Sequence, residues 1–205
     1  MANAIGPYGF RPVRQLNGAA WTGATNLYYI PSTDNTVLSI GDAVISLAGG
    51  DANGVPGIAK AAGTTNPIRG VITGFVVAPN LASLVGTGLD LSLQNLPATK
   101  AKAYYAMVCD DLANTVFAIQ GDGLTAANAV AAACNKNANF TVANPTAPAQ
   151  MSASVLTEST IAATQVAYLL HIMGLEQKPN NAYGANANWL VKFNLQELAV
   201  GSAGI

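Results

Sequence analysis

Charge is what this chain has least of: charged residues make up 9% of its 205 positions, against roughly 25% in an average soluble protein. The balance of nine Lys and Arg against ten Asp and Glu gives a formal net charge of −1. That offers no electrostatic basis for a nucleic-acid partner or for an anionic membrane. The two cysteines, Cys109 and Cys134, form neither a CxxC pair nor a zinc spacing. Both read as buried small hydrophobes rather than as a disulfide framework. No run approaches the roughly 18 unbroken apolar residues of a membrane helix. The opening residues, Met1 to Pro7, lack a basic start followed by an apolar core, so they do not read as a secretory signal. Synthesis in a cytoplasm is the expectation.

Groups for chemistry are equally scarce. General acid–base catalysis needs ionisable side chains brought together, yet the only histidine is His171, inside an apolar stretch that reads as core or interface. No Gly-x-Ser-x-Gly elbow, phosphate loop or full dinucleotide fingerprint occurs, and Gly86-Thr87-Gly88 lacks the third glycine. Asp51-Ala52-Asn53-Gly54 hints at a calcium loop, but its glycine falls too early and no glutamate closes the loop, so a tight turn accounts for it better. Asp110-Asp111 with Asp122 could gather at one end of a hairpin and hold a hard cation; solvated turn carboxylates are the plainer account. Asn139-Phe140-Thr141 matches a glycosylation sequon, which has no consequence without secretion. No catalytic, cofactor-binding or metal-binding residue is expected, and the chain does not read as an enzyme.

What is present is apolar and β-prone: 51% hydrophobic residues, with Ala, Gly, Asn and Thr in place of charge. A neutral surface on a lone monomer would have poor colloidal solubility, so much of it is expected to be covered by neighbouring subunits. The stretch Ile68 to Ala78 combines β-branched residues with Gly70 and Gly74, which suits one bent strand. Gly41 to Leu47 is a second such run, linked to it through a turn-rich loop and a short strand at Ile58 to Ala61. Further strands are expected at Asn26–Ile30, Leu89–Leu93, Ala103–Cys109, Val116–Gln120, Gln165–Met173 and Trp189–Leu195. In the last, Trp189, Val191, Phe193 and Leu195 alternate onto one face. Ala103–Cys109 and Val116–Gln120, joined by an acidic turn, read as a hairpin. Thr125 to Cys134 is the one helix candidate, capped by Thr125. The sum is a mainly β, antiparallel fold, a sandwich, jelly roll or barrel with one short helix.

Residues 1–23 read as an extended N-terminal arm ahead of a single β-rich domain, 24–205. Pro7, Pro12 and several glycines exclude a helix there. The arm nevertheless carries Tyr8, Phe10, Arg11, Arg14 and Trp21, more anchoring side chains than a solvated tail holds. Either it tucks against its own domain or it reaches a neighbour, where aromatic and Arg side chains supply contact energy. In the second case, removing Met1 to Arg14 should leave the core folded.

The opening Ala2-Asn3-Ala4-Ile5-Gly6-Pro7-Tyr8-Gly9-Phe10-Arg11-Pro12-Val13-Arg14 resembles the start of a group of tailed-bacteriophage virion proteins. The ending does too, from Asn181-Ala182-Tyr183-Gly184 through Trp189-Leu190-Val191-Lys192-Phe193-Asn194 to Gly201-Ser202-Ala203-Gly204-Ile205. Gly41-Asp42-Ala43-Val44 and Ile68-Arg69-Gly70-Val71-Ile72-Thr73-Gly74-Phe75 resemble the β-rich core of phage head decoration, or cement, proteins. That resemblance implies a virion structural protein, made in the host cytoplasm, on the outer surface of an icosahedral head. It would bind junctions between major capsid subunits and act as a dimer or trimer of itself. Tyr8, Phe10, Arg11, Arg14, Trp21 and Tyr183 are the interface residues expected on this basis together with the composition of the arm. The alternatives are another virion component, such as a major capsid, tail or fibre subunit, or a carbohydrate-binding β-sandwich using Tyr28, Tyr29, Tyr104 or Trp189.

Overall fold

The computed structural model describes residues 3–63, 66–76, 92–123, 131–162, 164 and 166–199. Among the described residues the fold is mainly β, with 44% in strands and almost no helix. The strands among the described residues are, in chain order, β1 Arg11–Gln15, β2 Asn26–Ile30, β3 Leu38–Ser39, β4 Ala43–Gly50, β5 Pro56–Lys60, β6 Gly70–Val76, β7 Asn95–Leu96, β8 Tyr104–Cys109, β9 Thr115–Gln120, β10 Asn137–Thr141, β11 Val155–Ala162, β12 Leu170–Leu175 and β13 Asn188–Phe193. Strands β2-β5-β4-β6-β8 close into a barrel, while β1-β9-β13-β12-β10-β11 form a six-stranded sheet and β3 pairs with β7. Among the described residues the strand ladders are antiparallel except for β2 with β5, whose parallel pairing of Tyr29 with Gly57 closes the barrel. A parallel bridge from Gly121 to Leu156 brings the end of β9 back to β11.

The two β units share a core. Inside the barrel lie Tyr28, Ile30, Val44, Ile58, Ile72, Phe75, Ala106 and Val108. The outward side chains Ala43, Val71 and Cys109 of the same strands join a second cluster with Phe117, Phe193, Trp189 and Ile172 of the sheet. Strands β4 and β6 are therefore buried on both faces where they meet the sheet. This explains why β6 reads as a continuous apolar run rather than an alternating one. Its expected bend is present as a register shift between Ile72 and Gly74 against β8, a bulge of the kind glycine permits. The alternation at the C-terminal strand is also observed: Trp189, Val191 and Phe193 are buried and Leu190 and Lys192 are half-buried.

Several expectations need correction. Strands β8 and β9 do not form a hairpin; β8 pairs with β2 and β6, and β9 pairs with β1 and β13. Every residue of β9 is buried, so it needs neighbours on both edges, and the turn 110–114 carries the chain from barrel to sheet. Strand β12 begins at Leu170, not at Gln165; Val166 is 82% exposed, and Gln165 lies outside the described residues. Strands β1, β10 and β11 were not anticipated. The expected helix falls largely on residues 124–130, outside the described residues, and what is described is one 3-10 turn, Ala131–Ala133. Of the expected strand Leu89–Leu93, residues 89–91 lie outside the described residues, and β7 begins two residues beyond its end. Cys109 is buried, but Cys134 is half-exposed.

The N-terminal segment joins the two units at a close backbone crossing. Phe10 N–H donates to Gly41 O at 2.8 Å and Gly41 N–H donates to Ile72 O at 2.9 Å. Gly9 and Gly41 both have positive φ, at 69° and 92°. A Cβ on Gly9 would strike Gly41 O and Ser152, and one on Gly41 would strike Tyr8 O. Gly18 has a similar φ of 90° but open space where a Cβ would go. Gly41→Ala is therefore expected to destabilise the fold by more than ~2 kcal/mol, and Gly18→Ala by about 1 kcal/mol, the backbone cost alone. Chemical denaturation of the two variants measures the difference, and equal losses would show that the crossing is not tight.

Candidate interaction surface

The arm is docked on its own molecule. Asn3 Nδ2 donates to Ala182 O and Ala185 O, both at 2.9 Å, and Ala182 N–H donates back to Asn3 Oδ1 at 3.0 Å. Gln120, at the end of β9, takes the next residues with both ends of its amide. Its Nε2 donates to Ala4 O at 2.9 Å, and its Oε1 accepts from Gly6 N–H at 2.9 Å. Tyr8 Oη donates to Asn188 Oδ1 at 2.9 Å. The strap then turns inward at Gly9 and inserts Phe10, which is 2% exposed. Phe10 packs edge-on against Phe140 at 4.9 Å and tilted against Phe193 at 4.8 Å, favourable aromatic geometries.

Arg11 follows on the sheet edge. Its Nη2 lies 2.7 Å from Glu176 Oε1, which Lys178 Nζ also reaches at 2.8 Å. The guanidinium sits 5.0 Å from the centre of the Tyr8 ring, a cation–π contact. Burial pushes the Tyr8 phenol well above its ordinary range; Arg11 opposes this and Glu176 adds to it. Arg14 pairs with Val116 across the ladder and is half-buried. Trp21 packs partly against the core, its backbone N–H on Val13 O at 3.4 Å. Tyr183 remains 46% exposed, its ring 6.0 Å from Trp189 and its hydroxyl 3.8 Å from Cys134 Sγ.

The structure thus unites Tyr8 with Arg11, and places Tyr183 between the two residues that hold Asn3. Ile5, 79% exposed, rides on the same strap. It does not offer Phe10 to a partner. A truncation through Arg14 would remove a core aromatic and most of β1, so the core would not be left intact. The receptors Gln120, Glu176 and Asn188 were missed in the sequence. The Asn-rich loop before β13 was the available signal: Asn181 ties that loop to the Glu176 and Asn188 carbonyls at 2.7 and 2.9 Å.

The other polar clusters are occupied in holding the fold. Among the described residues, no three His, Cys, Asp or Glu side chains are grouped to bind a metal. Asp51 Oδ1 accepts the Asn53 and Val55 N–H groups, each at 2.8 Å, and Oδ2 accepts Tyr105 Oη–H at 2.6 Å. The Tyr105 bond leads in holding this carboxyl down at about 2. Asp110 accepts from Tyr28 at 2.6 Å and Asn26 at 3.0 Å, and Asp111 from Asn114 at 2.9 Å. Asp122 lies at the far end of β9, so these acids do not gather. His171 Nδ1 is 2.9 Å from Asn137 Oδ1. Tyr28 and Trp189 are in the core, which withdraws both as platforms for a sugar ring. A shallow depression of about 170 Å³ beside Tyr29, Pro31, Leu47 and Gly57 is smaller than ligand pockets usually are.

No family model, no curated protein and no solved structure matches this chain.

One buried ion pair sits behind the crossing and has a measurable consequence. Asp42 Oδ2 lies 2.9 Å from Lys60 Nζ, with side-chain exposures of 1% and 8%. Lys60 also donates to Val37 O at 3.1 Å and Asn144 Oδ1 at 2.9 Å, and Ser39 N–H donates to Asp42 at 2.8 Å. Burial raises the Asp42 pKa and Lys60 counteracts it. Lys60→Met strands the carboxylate, at an expected cost of about 3–5 kcal/mol. With its cation gone, Asp42 titrates higher still in the folded state. The folded protein then holds a proton that the unfolded chain releases, so stability falls as pH rises through that window. The variant should lose more at pH 8 than at pH 5, and Asp42→Asn/Lys60→Met should not. Equal losses at both pH values would discount the pair.

Proposed function

We propose that this protein is a structural subunit of a virion, a head decoration or cement protein, whose work is to cover and tie together other protein surfaces. The observation that carries this is where its few charges are placed. Five ion pairs among the described residues engage Arg11, Lys178 and Glu176, Lys60 and Asp42, Arg69 and Asp110, and Lys100 and Asp34. Glu158 is fully buried, and the Glu197 carboxylate is bound by the Ser46 backbone and hydroxyl. What faces outward is chiefly Asn, Thr, Ala and Gly, with Ile5, Leu16, Tyr183 and Leu198 exposed among them. A neutral exterior of this kind suits contact with neighbouring protein better than life as a dispersed monomer. Symmetric repetition would multiply weak contacts into firm attachment. We read the curved sheet laid on the barrel wall as a sandwich-like unit and the strap, with Ile5 and Tyr183, as its contact face.

The partners in this reading are the major capsid protein and other copies of the chain. Light scattering on the purified protein, then imaging after mixing with heads stripped of it, tests it. The expected result is a discrete dimer or trimer that decorates heads at fixed stoichiometry. Removing residues 1–7 spares Phe10 and β1, so the truncated protein should fold but bind heads at least about tenfold more weakly, or 1.4 kcal/mol per site. A stable monomer that ignores heads overturns the proposal, and full decoration by the truncated form overturns the role of the strap.

A further inference from the structure

Glu158 is a fully buried acid whose pairing is incomplete. It lies on β11 at 0% exposure, facing the same interior as Leu156. One carboxyl oxygen, Oε1, accepts from Trp189 Nε1 at 3.3 Å. The other, Oε2, is buried and has no hydrogen-bond partner among the described residues. The carboxyl lies flat against Gly121, where any Cβ would collide with it. Gly121 is also where the sheet closes on itself. It bridges to Leu156, Asp122 N–H donates to Leu156 O at 3.0 Å, and Gly121 N–H donates to Ala187 O at 2.8 Å. This seam is the only strand-to-strand bridge between β9 and β11 among the described residues.

Among the described residues, the groups around Glu158 give it no counter-charge. Neither β9 nor β10 contains an ionisable side chain. Strand β13 presents Trp189, while its Lys192 points to the opposite face, across from His171 of β12. The charged neighbour that bears on Glu158 is Asp122, of like sign. A buried carboxylate with one unsolvated oxygen, no cation and a second acid beside it is strongly disfavoured, whereas the neutral acid is tolerated.

We propose that Glu158 is a protonation latch on the β9–β11 seam, closed while the carboxyl is neutral and released when it ionises. Burial holds the group up at about 7, with Asp122 adding to the effect and the Trp189 bond opposing it. Opening would let it relax toward the ordinary carboxylate range, so the open form releases a proton that the closed form keeps. Opening is then favoured by rising pH up to about 7 and becomes independent of pH above it. An opened seam presents unpaired strand backbone, a ready site for pairing with another chain.

Hydrogen exchange of the segments 117–123 and 155–160 tests this, each amide corrected for its intrinsic pH dependence and referred to β8. In the wild type, protection of the seam should fall about tenfold per pH unit between pH 5 and 7 and then level, while β8 stays flat. Glu158→Gln keeps an acceptor for Trp189 and should abolish the slope. Asp122→Asn should keep the slope but move its plateau to lower pH, which also covers the case in which the Gln variant folds poorly. A flat wild-type profile, a slope that persists in Glu158→Gln, or a plateau unmoved in Asp122→Asn would each overturn the latch.

Discussion

The fold depends on one close approach of two backbones, Gly9 across Gly41. Neither residue is in a conformation that side chains favour, and neither leaves room for one. The crossing directs Phe10 into the aromatic cluster of the sheet and lets Gly41 hold Ile72 of the barrel by its own N–H. It also sets Asp42 beside Lys60, since the turn that places Gly41 brings Asp42 N–H onto Ser39 O at 3.0 Å. Sheet and barrel are thus joined through peptide groups, with aromatic packing on one side and a buried ion pair on the other. A larger residue at either glycine would separate all three at once.

The ion pairs make sense as positioning devices. A buried pair rarely adds net stability over apolar packing, but removing one partner is costly. That asymmetry restricts the chain to arrangements that keep every pair intact. Lys100 illustrates it: with no side-chain exposure, its ammonium is shared among Asp34 O, Asp34 Oδ2 and Thr36 O at 3.0, 3.0 and 2.6 Å. Three donors meet three acceptors, and the loop before β3 has one place to be. Lys60, Asp42, Lys100 and Asp34 are buried in this way and contribute little charge to the surface, which is made up chiefly of Asn, Thr, Ala and Gly.

Sequence patterns disclosed elements better than partnerships. The glycine-bent run at β6 and the alternation of β13 were legible because burial on two faces, or on one, leaves a direct imprint on residue type. The pairing of β8 and β9 was not, because a five-residue acidic turn serves a hairpin and a crossover equally well. Strand β11, Val155-Leu156-Thr157-Glu158-Ser159-Thr160-Ile161-Ala162, was hidden by polar residues that tertiary contacts accommodate: Thr160 Oγ1 accepts from Asn139 N–H at 2.8 Å across a register shift. In the arm, the anchors were legible as aromatic and Arg side chains in a segment too rich in glycine and proline for a helix. Their receptors, Gln120, Glu176 and Asn188, are single polar residues far away in sequence, and the one local signal is the Asn-rich loop that Asn181 ties to Glu176 and Asn188.

The arm divides into two parts with different energetics. Phe10 is bound by core packing, and removing a buried aromatic costs about 3–5 kcal/mol. Residues 3–8 are held mainly by the hydrogen bonds that Asn3 and Gln120 donate and the one that Asn188 accepts from Tyr8, each worth about 0.5–1.5 kcal/mol net because water competes for the same groups. Such a strap is fixed at its root and readily replaced along its length. An incoming surface that offers the same few donors and acceptors, and covers Ile5, would lose little by displacing it and would gain apolar burial. Core packing at Phe10 and replaceable hydrogen bonds along residues 3–8 therefore give the arm a firm root and a lightly held length, two strengths of attachment within one short segment.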